Sequence, residues 1–253
     1  MSKIRVIARL DIKNDDVIKG IHLEGLRKVG KPNEMAKKYY DQGVDEIIFM
    51  DAVAAYYDRN SLSEIITKAC KDVFVPITVG GGIRTLEDIQ IALNAGADKT
   101  AINTKAVQNP NFIKEASEVY GSQCIVSSID AKKIDENRWE VYVDNGREST
   151  GIDVLEWAQK VENLGAGEIM LTSIDKEGTK KGFDIELNKM VSQLVTIPVI
   201  SSGGAGQNRD VSEVILNSDI NAVSIASMFH YKIESVETLK VHLNEDKRIH
   251  IRI

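Results

Sequence analysis

Asp11 and Asp130 each close a β-branched run, RVIARLD at 5–11 and CIVSSID at 124–130. Two carboxylates held at strand ends over one substrate suit a general acid and a general base, because burial and neighbours can drive their proton affinities apart. A strand-end Asp also caps the loop that follows, so a structural role stands beside the catalytic one. For Asp51, which ends EIIFMD at 46–51, both readings stay open. Glycines close two further runs: Gly80-Gly81-Gly82 starts at the last residue of PITVG (76–80), and Gly203-Gly204 at the last residue of PVISSG (198–203). Glycine lets the backbone approach an oxyanion, and the helix N-terminus that follows favours negative charge. Asn103-Thr104 and Ala226-Ser227, at the ends of the next runs, add amide and hydroxyl donors. Tight turns need glycine too. Glycine beside a hydroxyl, twice over, points further, to two anion sites and a long substrate with a phosphate at each end.

These groups need elements that bring them together. Strand-like runs at 5–11, 46–51, 76–80, 99–103, 124–130, 168–173, 198–203 and 222–227 alternate with helix-period segments near 32–42, 61–72, 85–95, 110–120, 152–164, 184–194, 208–217 and 234–244. Such alternation implies a parallel sheet with right-handed crossovers. Eight units in 253 residues predict an α/β fold of the (β/α)8 barrel type, as one domain over 1–253. An open doubly wound sheet competes, but no GxGxxG opens the first unit. A repeat supports the barrel: Glu46 and Glu168, Pro76 and Pro198, and Gly81 and Gly203 all stand 122 positions apart. The pattern reads as two half-barrels, about 1–122 and 123–253, which puts strands 1 and 5, and so Asp11 and Asp130, on opposite sides of the mouth.

Two segments break the regular unit. The stretch 12–31 is a long βα connection, of the kind that usually carries function. WEVYVDNGRES (139–149) alternates in polarity around Asn145-Gly146, a hairpin signal. At the opposite end, Arg5, Glu46, Lys99 and Glu168 all lie at strand starts. Strand residues alternate in and out, so an inward Asp11 carries Arg9, Ile7 and Arg5 inward with it. Two bases and two acids can then close the barrel bottom as a ring, either an ordinary buried ion network or a gate. A buried Arg9 must meet an anion, and Asp11 and Asp51 are the protein's candidates.

The chain carries 32 Lys and Arg against 38 Asp and Glu, a formal charge of −6, which argues against nucleic acid as the main partner. No apolar run approaches the roughly 20 residues of a membrane span. The start enters a strand directly, without a secretory signal. Cys70 and Cys124 form no CxxC, and the four histidines show no metal-ligand spacing, so a reducing cytoplasm is expected, with neither structural metal nor cofactor.

Taken in order, LDIKNDDVIKG (10–20), DEIIFMD (45–51), TVGGGI (78–83), GADKTAINT (96–104), SIDAKK (128–133), TGID (150–153), GAGEIMLTSID (165–175), EGTKKGFD (177–184), SSGGAG (201–206) and ASMFH (226–230) resemble the cyclase subunits of imidazole glycerol phosphate synthase, nearly end to end. The resemblance implies a (β/α)8 barrel paired with a glutaminase at its N-terminal face. It also implies ammonia passing up the barrel axis to a ribulosyl aminoimidazole carboxamide nucleotide that carries two phosphates. The products would be imidazole glycerol phosphate and the aminoimidazole carboxamide nucleotide. Residue by residue, Asp11 and Asp130 match the family's acid/base pair, Lys19 the lysine of its mobile first loop, and Thr172 an active-site threonine. Gly82, Asn103 and Thr104 match one phosphate site, and Gly204, Ala226 and Ser227 the other. Arg5, Glu46, Lys99 and Glu168 match a gate at the glutaminase face. Asp175, which ends the seventh motif, is a further active-site candidate.

The departures cluster at the mouth. Arg9 stands where the family usually has a small residue. Val53-Ala54-Ala55 replaces a Thr-Ala-Ser segment, and Glu177 replaces an Asp. The ARLDIK start and Asp58-Arg59-Asn60-Ser61-Leu62 resemble a branch that amidates or amidinates a sugar precursor in surface-glycan synthesis, so that branch is one alternative. A silent barrel that only activates a glutaminase is another.

Overall fold

The β-branched runs are buried on both faces, as strands of a closed parallel barrel must be. In the computed structural model, which describes residues 3–54 and 62–252, EIMLTS (168–173) is buried at every position. The strands in chain order are β1 (Arg5–Lys13), β2 (Asp16–Ile21), β3 (Glu24–Gly30), β4 (Glu46–Asp51), β5 (Ile77–Gly80), β6 (Lys99–Ile102), β7 (Ile125–Asp135), β8 (Arg138–Val143), β9 (Glu148–Asp153), β10 (Glu168–Ser173), β11 (Val199–Ser202) and β12 (Ala222–Ile225). Eight of them pair in parallel around a closed circuit, β1-β4-β5-β6-β7-β10-β11-β12 and back to β1. Helices separate them, which makes a (β/α)8 barrel. The stretch Asp58-Arg59-Asn60-Ser61-Leu62 lies outside the described residues except for Leu62, as does Ala55.

The half-barrel repeat extends to backbone detail. Gly81 and Gly82 turn with φ of 86° and 72°, and their repeat mates Gly203 and Gly204 with 95° and 111°. Thr85 and Asp88 form a capping box on the helix Leu86–Asn94, and Gln207 and Asp210 form its counterpart on Asn208–Asn217. Asn103 and Ala226 adopt nearly the same unusual backbone, φ −121° with ψ −86° and φ −124° with ψ −75°, each before a short helix. Gly204 has no room for a side chain, since a Cβ there would lie 2.1 Å from the Gly182 carbonyl oxygen. Gly204→Ala is expected to cost about 1–2 kcal/mol through the left-handed backbone alone, and more through displacement of that carbonyl. A urea midpoint equal to the parent's would refute this.

The long connection after β1 is not an irregular loop. Residues 16–30 form an antiparallel hairpin, β2 and β3, that continues from β1. Its tip is His22-Leu23, both left-handed at φ 52° and 64°, the geometry of a two-residue turn normally built from Asn and Gly. After β7, β8 and β9 form the matching hairpin around Asn145-Gly146. Each half-barrel therefore begins with a strand that rises past the mouth into a hairpin.

The core has two parts. A large one lies between sheet and helices and includes Trp139, Trp157 and Phe229. A smaller one fills the lumen with Ile7, Ile48, Ala101, Val126, Met170, Ile200 and Ala222. Among the described residues, no helix is long and apolar enough to cross a membrane.

Candidate active site

Strand alternation stacks three layers inside the barrel. At the bottom, Arg5 donates to Glu46 at 2.6 Å and to Glu168, while Lys99 donates to Glu46 at 3.1 Å and to Glu168 at 2.9 Å. Each acid meets both bases, so the four side chains close one ring. A shallow cavity of about 260 Å³ opens beside it, lined by Arg5, Lys99 and Glu168. Above the ring lies the apolar lumen layer. Above that stand the mouth groups.

Asp11 is buried between two cations. Arg9 Nε donates to its Oδ1 at 2.7 Å, and Lys19 Nζ, from β2, to its Oδ2 at 3.3 Å. Burial pushes the Asp11 carboxyl up, but Arg9 and then Lys19 outweigh it and hold it at about 2. Asp130, on β7, is equally buried, yet its side-chain donor is the neutral amide of Asn103 at 3.1 Å. Burial and the nearby Asp11 charge push it up to about 6, against the pull of Arg9 and Asn103. The two carboxylates thus stand over one lumen with their proton affinities driven apart, the arrangement that separates a base from an acid.

Lys19 also pairs with the buried Glu177. Burial and the neighbouring Arg9 lower the Lys19 ammonium's proton affinity. The β2–β3 hairpin that carries Lys19 is fastened over the mouth. The His22 backbone N–H donates to the Glu177 carbonyl at 2.9 Å, and His22 Nδ1 lies 2.8 Å from the Ile174 carbonyl. Thr172, opposite Asp130 in the β10–β7 register, accepts from Arg9 Nη1 at 3.1 Å.

Two cavities flank these groups, one per half. The larger, about 320 Å³, is lined by Asp130, Asp51, Gly82, Asn103 and Thr104, with Arg9 as its floor. The smaller, about 10 Å³, is lined by Glu177, Gly204, Ala226, Ser227 and again Arg9. The two glycine-hydroxyl sets therefore lie on either side of Arg9. Asp51 points its Oδ1 at the Val53 backbone N–H, 3.0 Å away, so it caps its own turn while lining the larger cavity. Asp175 lines neither cavity; it accepts from the Lys133 N–H at 2.8 Å and so anchors the rising end of β7.

Several groups escaped the sequence reading. Arg84 and Lys105 line the larger cavity and bring it positive charge, while Asp144 brings negative charge from the β8–β9 turn. His230 lies buried against Tyr39, whose hydroxyl is 2.7 Å from Nδ1. Burial and Lys19 lower the His230 imidazole to about 3, so it stays neutral. A cation on a helix or loop leaves no periodic trace of which cavity it lines. The ASMFH segment did mark the helix that holds His230.

The family model for histidine biosynthesis proteins matches residues 5–234. An imidazole glycerol phosphate synthase subunit HisF from Legionella pneumophila is 60% identical over 207 residues, 82% of this chain and 98% of that protein. Another, from Hydrogenobaculum sp. (strain Y04AAS1), is 48% identical over 249 residues, 98% of each chain. These likenesses favour neither the sugar-amidating branch nor a silent barrel. With the closed eight-stranded barrel, the repeat-related glycine turns and the opposed Asp11 and Asp130, they show that the chain belongs to the histidine biosynthesis family, among its HisF subunits.

Proposed function

We propose that this chain is the synthase half of imidazole glycerol phosphate synthase. It would join ammonia to the ribulosyl aminoimidazole carboxamide nucleotide and release imidazole glycerol phosphate and the aminoimidazole carboxamide nucleotide. One observation carries the reading furthest: an apolar lumen layer separates a closed ring of charges from a mouth where Arg9 and two carboxylates with unlike proton affinities stand. An apolar bore admits neutral ammonia and excludes ions, for which desolvation is costly. At the mouth, Asp130 donates a proton as ammonia condenses and the ring closes, and Asp11, ionised, accepts one as the carbon–nitrogen bond breaks. Gly82, Asn103 and Thr104 grip one phosphate and Gly204, Ala226 and Ser227 the other, while Lys19 shields the reacting centre.

The experiment is the loss of the nucleotide's absorbance with purified protein and excess ammonium salt. Steady consumption with imidazole glycerol phosphate as product supports the reading. An inert nucleotide under conditions where a HisF control turns over refutes it.

In this account a glutaminase docks on the N-terminal face, over Arg5, Glu46, Lys99 and Glu168, and the ring is the ammonia gate. The setting is cytoplasmic, in keeping with Cys70 and Cys124 as free thiols. Lys99→Ala removes one cation from between two acids. Coupling energies of about 0.5–2 kcal/mol predict a roughly 2- to 30-fold fall in synthesis per glutamine hydrolysed, with ammonium-driven turnover much less affected. Equal losses in both assays would make the ring purely structural.

A further inference from the structure

Asp11 and Asp130 occupy matching positions in the two half-barrels, yet their surroundings differ, and the difference centres on one side chain. Arg9 lies two residues before Asp11 on β1, one layer deeper in the lumen, and is almost wholly buried. Its guanidinium spans the barrel. Nε holds Asp11 Oδ1 at 2.7 Å, while Nη1 reaches Thr172 Oγ1 on β10 at 3.1 Å and Ser202 Oγ on β11 at 3.4 Å. It lines both mouth cavities, so it lies between the apolar lumen and either anion site. A planar fork fixed at three points cannot swing from one carboxylate to the other. Its direct hydrogen bond goes to Asp11, and Asp130 feels it only through space.

We infer that Arg9 is a positioning residue that gives two symmetry-related carboxylates unlike roles, fixing Asp11 as the permanent base and leaving Asp130 as the proton donor. The inference rests on the acid/base reading above and deepens it. The other charged and titratable groups around the pair are consistent with this division. Lys19 from β2 and Glu177 after β10 neutralise one another beside Asp11. His230, from the helix Ser227–His230, stays neutral against Tyr39. Asp51, Asp144, Arg84 and Lys105 share the larger cavity with Asp130. Among the described residues, Arg9 is the cation that acts on both carboxylates. Without it, Asp130 would lose a pull through space, whereas Asp11 would lose both that pull and its direct hydrogen bond and keep only the longer contact to Lys19, so Asp11 would rise the more of the two.

The test is a carbon-13 carboxyl titration of the parent, Arg9→Gln and Arg9→Lys, alongside the pH dependence of ammonium-driven kcat. Glutamine keeps a hydrogen-bond donor but no charge; lysine keeps the charge but not the fork. In the parent, Asp130 should titrate near 6 with Asp11 still ionised well below that. In Arg9→Gln, Asp11 should rise by about 1–3 pH units, the range expected for loss of an adjacent opposite charge, and the acid limb of kcat should rise with it. Arg9→Lys should restore most of the separation. Unmoved titrations in a folded Arg9→Gln, by an unchanged amide spectrum, would overturn the proposal. If Arg9→Gln does not fold, the parent decides: Asp11 titrating at or above Asp130 overturns the assignment, and Asp130 above Asp11 supports it. The titrations need no turnover, so they stand even if the nucleotide proves not to be the substrate.

Discussion

Asp130→Asn and Asp11→Asn should each cut ammonium-driven turnover by about 100- to 10,000-fold, the range expected for loss of a general acid or base. Asparagine keeps the size of the side chain and removes its proton chemistry. The two replacements should differ in what else they disturb. At position 130 the new amide can keep a hydrogen bond with Asn103, so the fold and substrate affinity should hold. At position 11 the change also leaves the buried Arg9 without its carboxylate partner, while Lys19 keeps Glu177. Asp11→Asn should therefore lose stability as well, by several kcal/mol if the guanidinium cannot relax. The pH dependence has a definite sign. Asp130 works protonated and sits at about 6, so turnover falls as pH rises through that value. Asp11 works ionised and sits at about 2, so its loss on acidification lies below the pH at which the protein is assayed. Near-parent rates in both variants would remove the carboxylate pair from the chemistry.

The second large effect concerns the phosphate sites. Thr104→Val and Ser227→Ala each remove a hydroxyl from one end of the mouth, one per half-barrel. A hydrogen bond to a charged group contributes about 1.5–3 kcal/mol, so each should raise KM for the nucleotide roughly 10- to 150-fold while kcat changes little, the pattern of lost uniform binding. Because Arg9 separates the two cavities, the double variant should show nearly additive losses. The smaller cavity is too tight for a phosphate as it stands, so binding there must loosen the Lys19–Glu177 latch or shift Arg9. A KM unchanged in Ser227→Ala would mean that the second phosphate binds elsewhere.

Much of this was legible in the sequence for physical reasons. Barrel strands are buried on both faces, so they leave dense β-branched runs that stand out between amphipathic helices. Strand parity then carried Arg5, Ile7, Arg9 and Asp11 to one side of β1, and each lines the lumen or its ends. The β8–β9 hairpin was legible because Asn145-Gly146 favours left-handed backbone. The β2–β3 hairpin was not, because its tip is His22-Leu23, two side chains that avoid φ of 52° and 64° and are held there by tertiary contacts to Glu177 and Ile174. Asp175 entered as an active-site candidate through the resemblance of the motif it ends, and which neighbour a carboxylate just past a strand will meet is not written in that motif. Its contact with Lys133 belongs to the neighbouring strand. Lys19 lies on that same β2–β3 hairpin, and its position over Asp11 depends on the register with β1, which composition does not encode.

Placement of ammonia from glutamine into an imidazole ring is the step on which the proposed function depends. It is tested most directly by isotope transfer. The chain is mixed with a HisH glutaminase, the two-phosphate nucleotide and glutamine labelled with nitrogen-15 in its side-chain amide, in unlabelled ammonium buffer, and the products are weighed by mass spectrometry. The account predicts imidazole glycerol phosphate one mass unit heavier in most molecules, with an unlabelled aminoimidazole carboxamide nucleotide, and predicts that Lys99→Ala shifts the product towards the unlabelled mass. Hydrolysed glutamine with an intact nucleotide would contradict it, and so would label appearing only as free ammonium while the imidazole stays unlabelled.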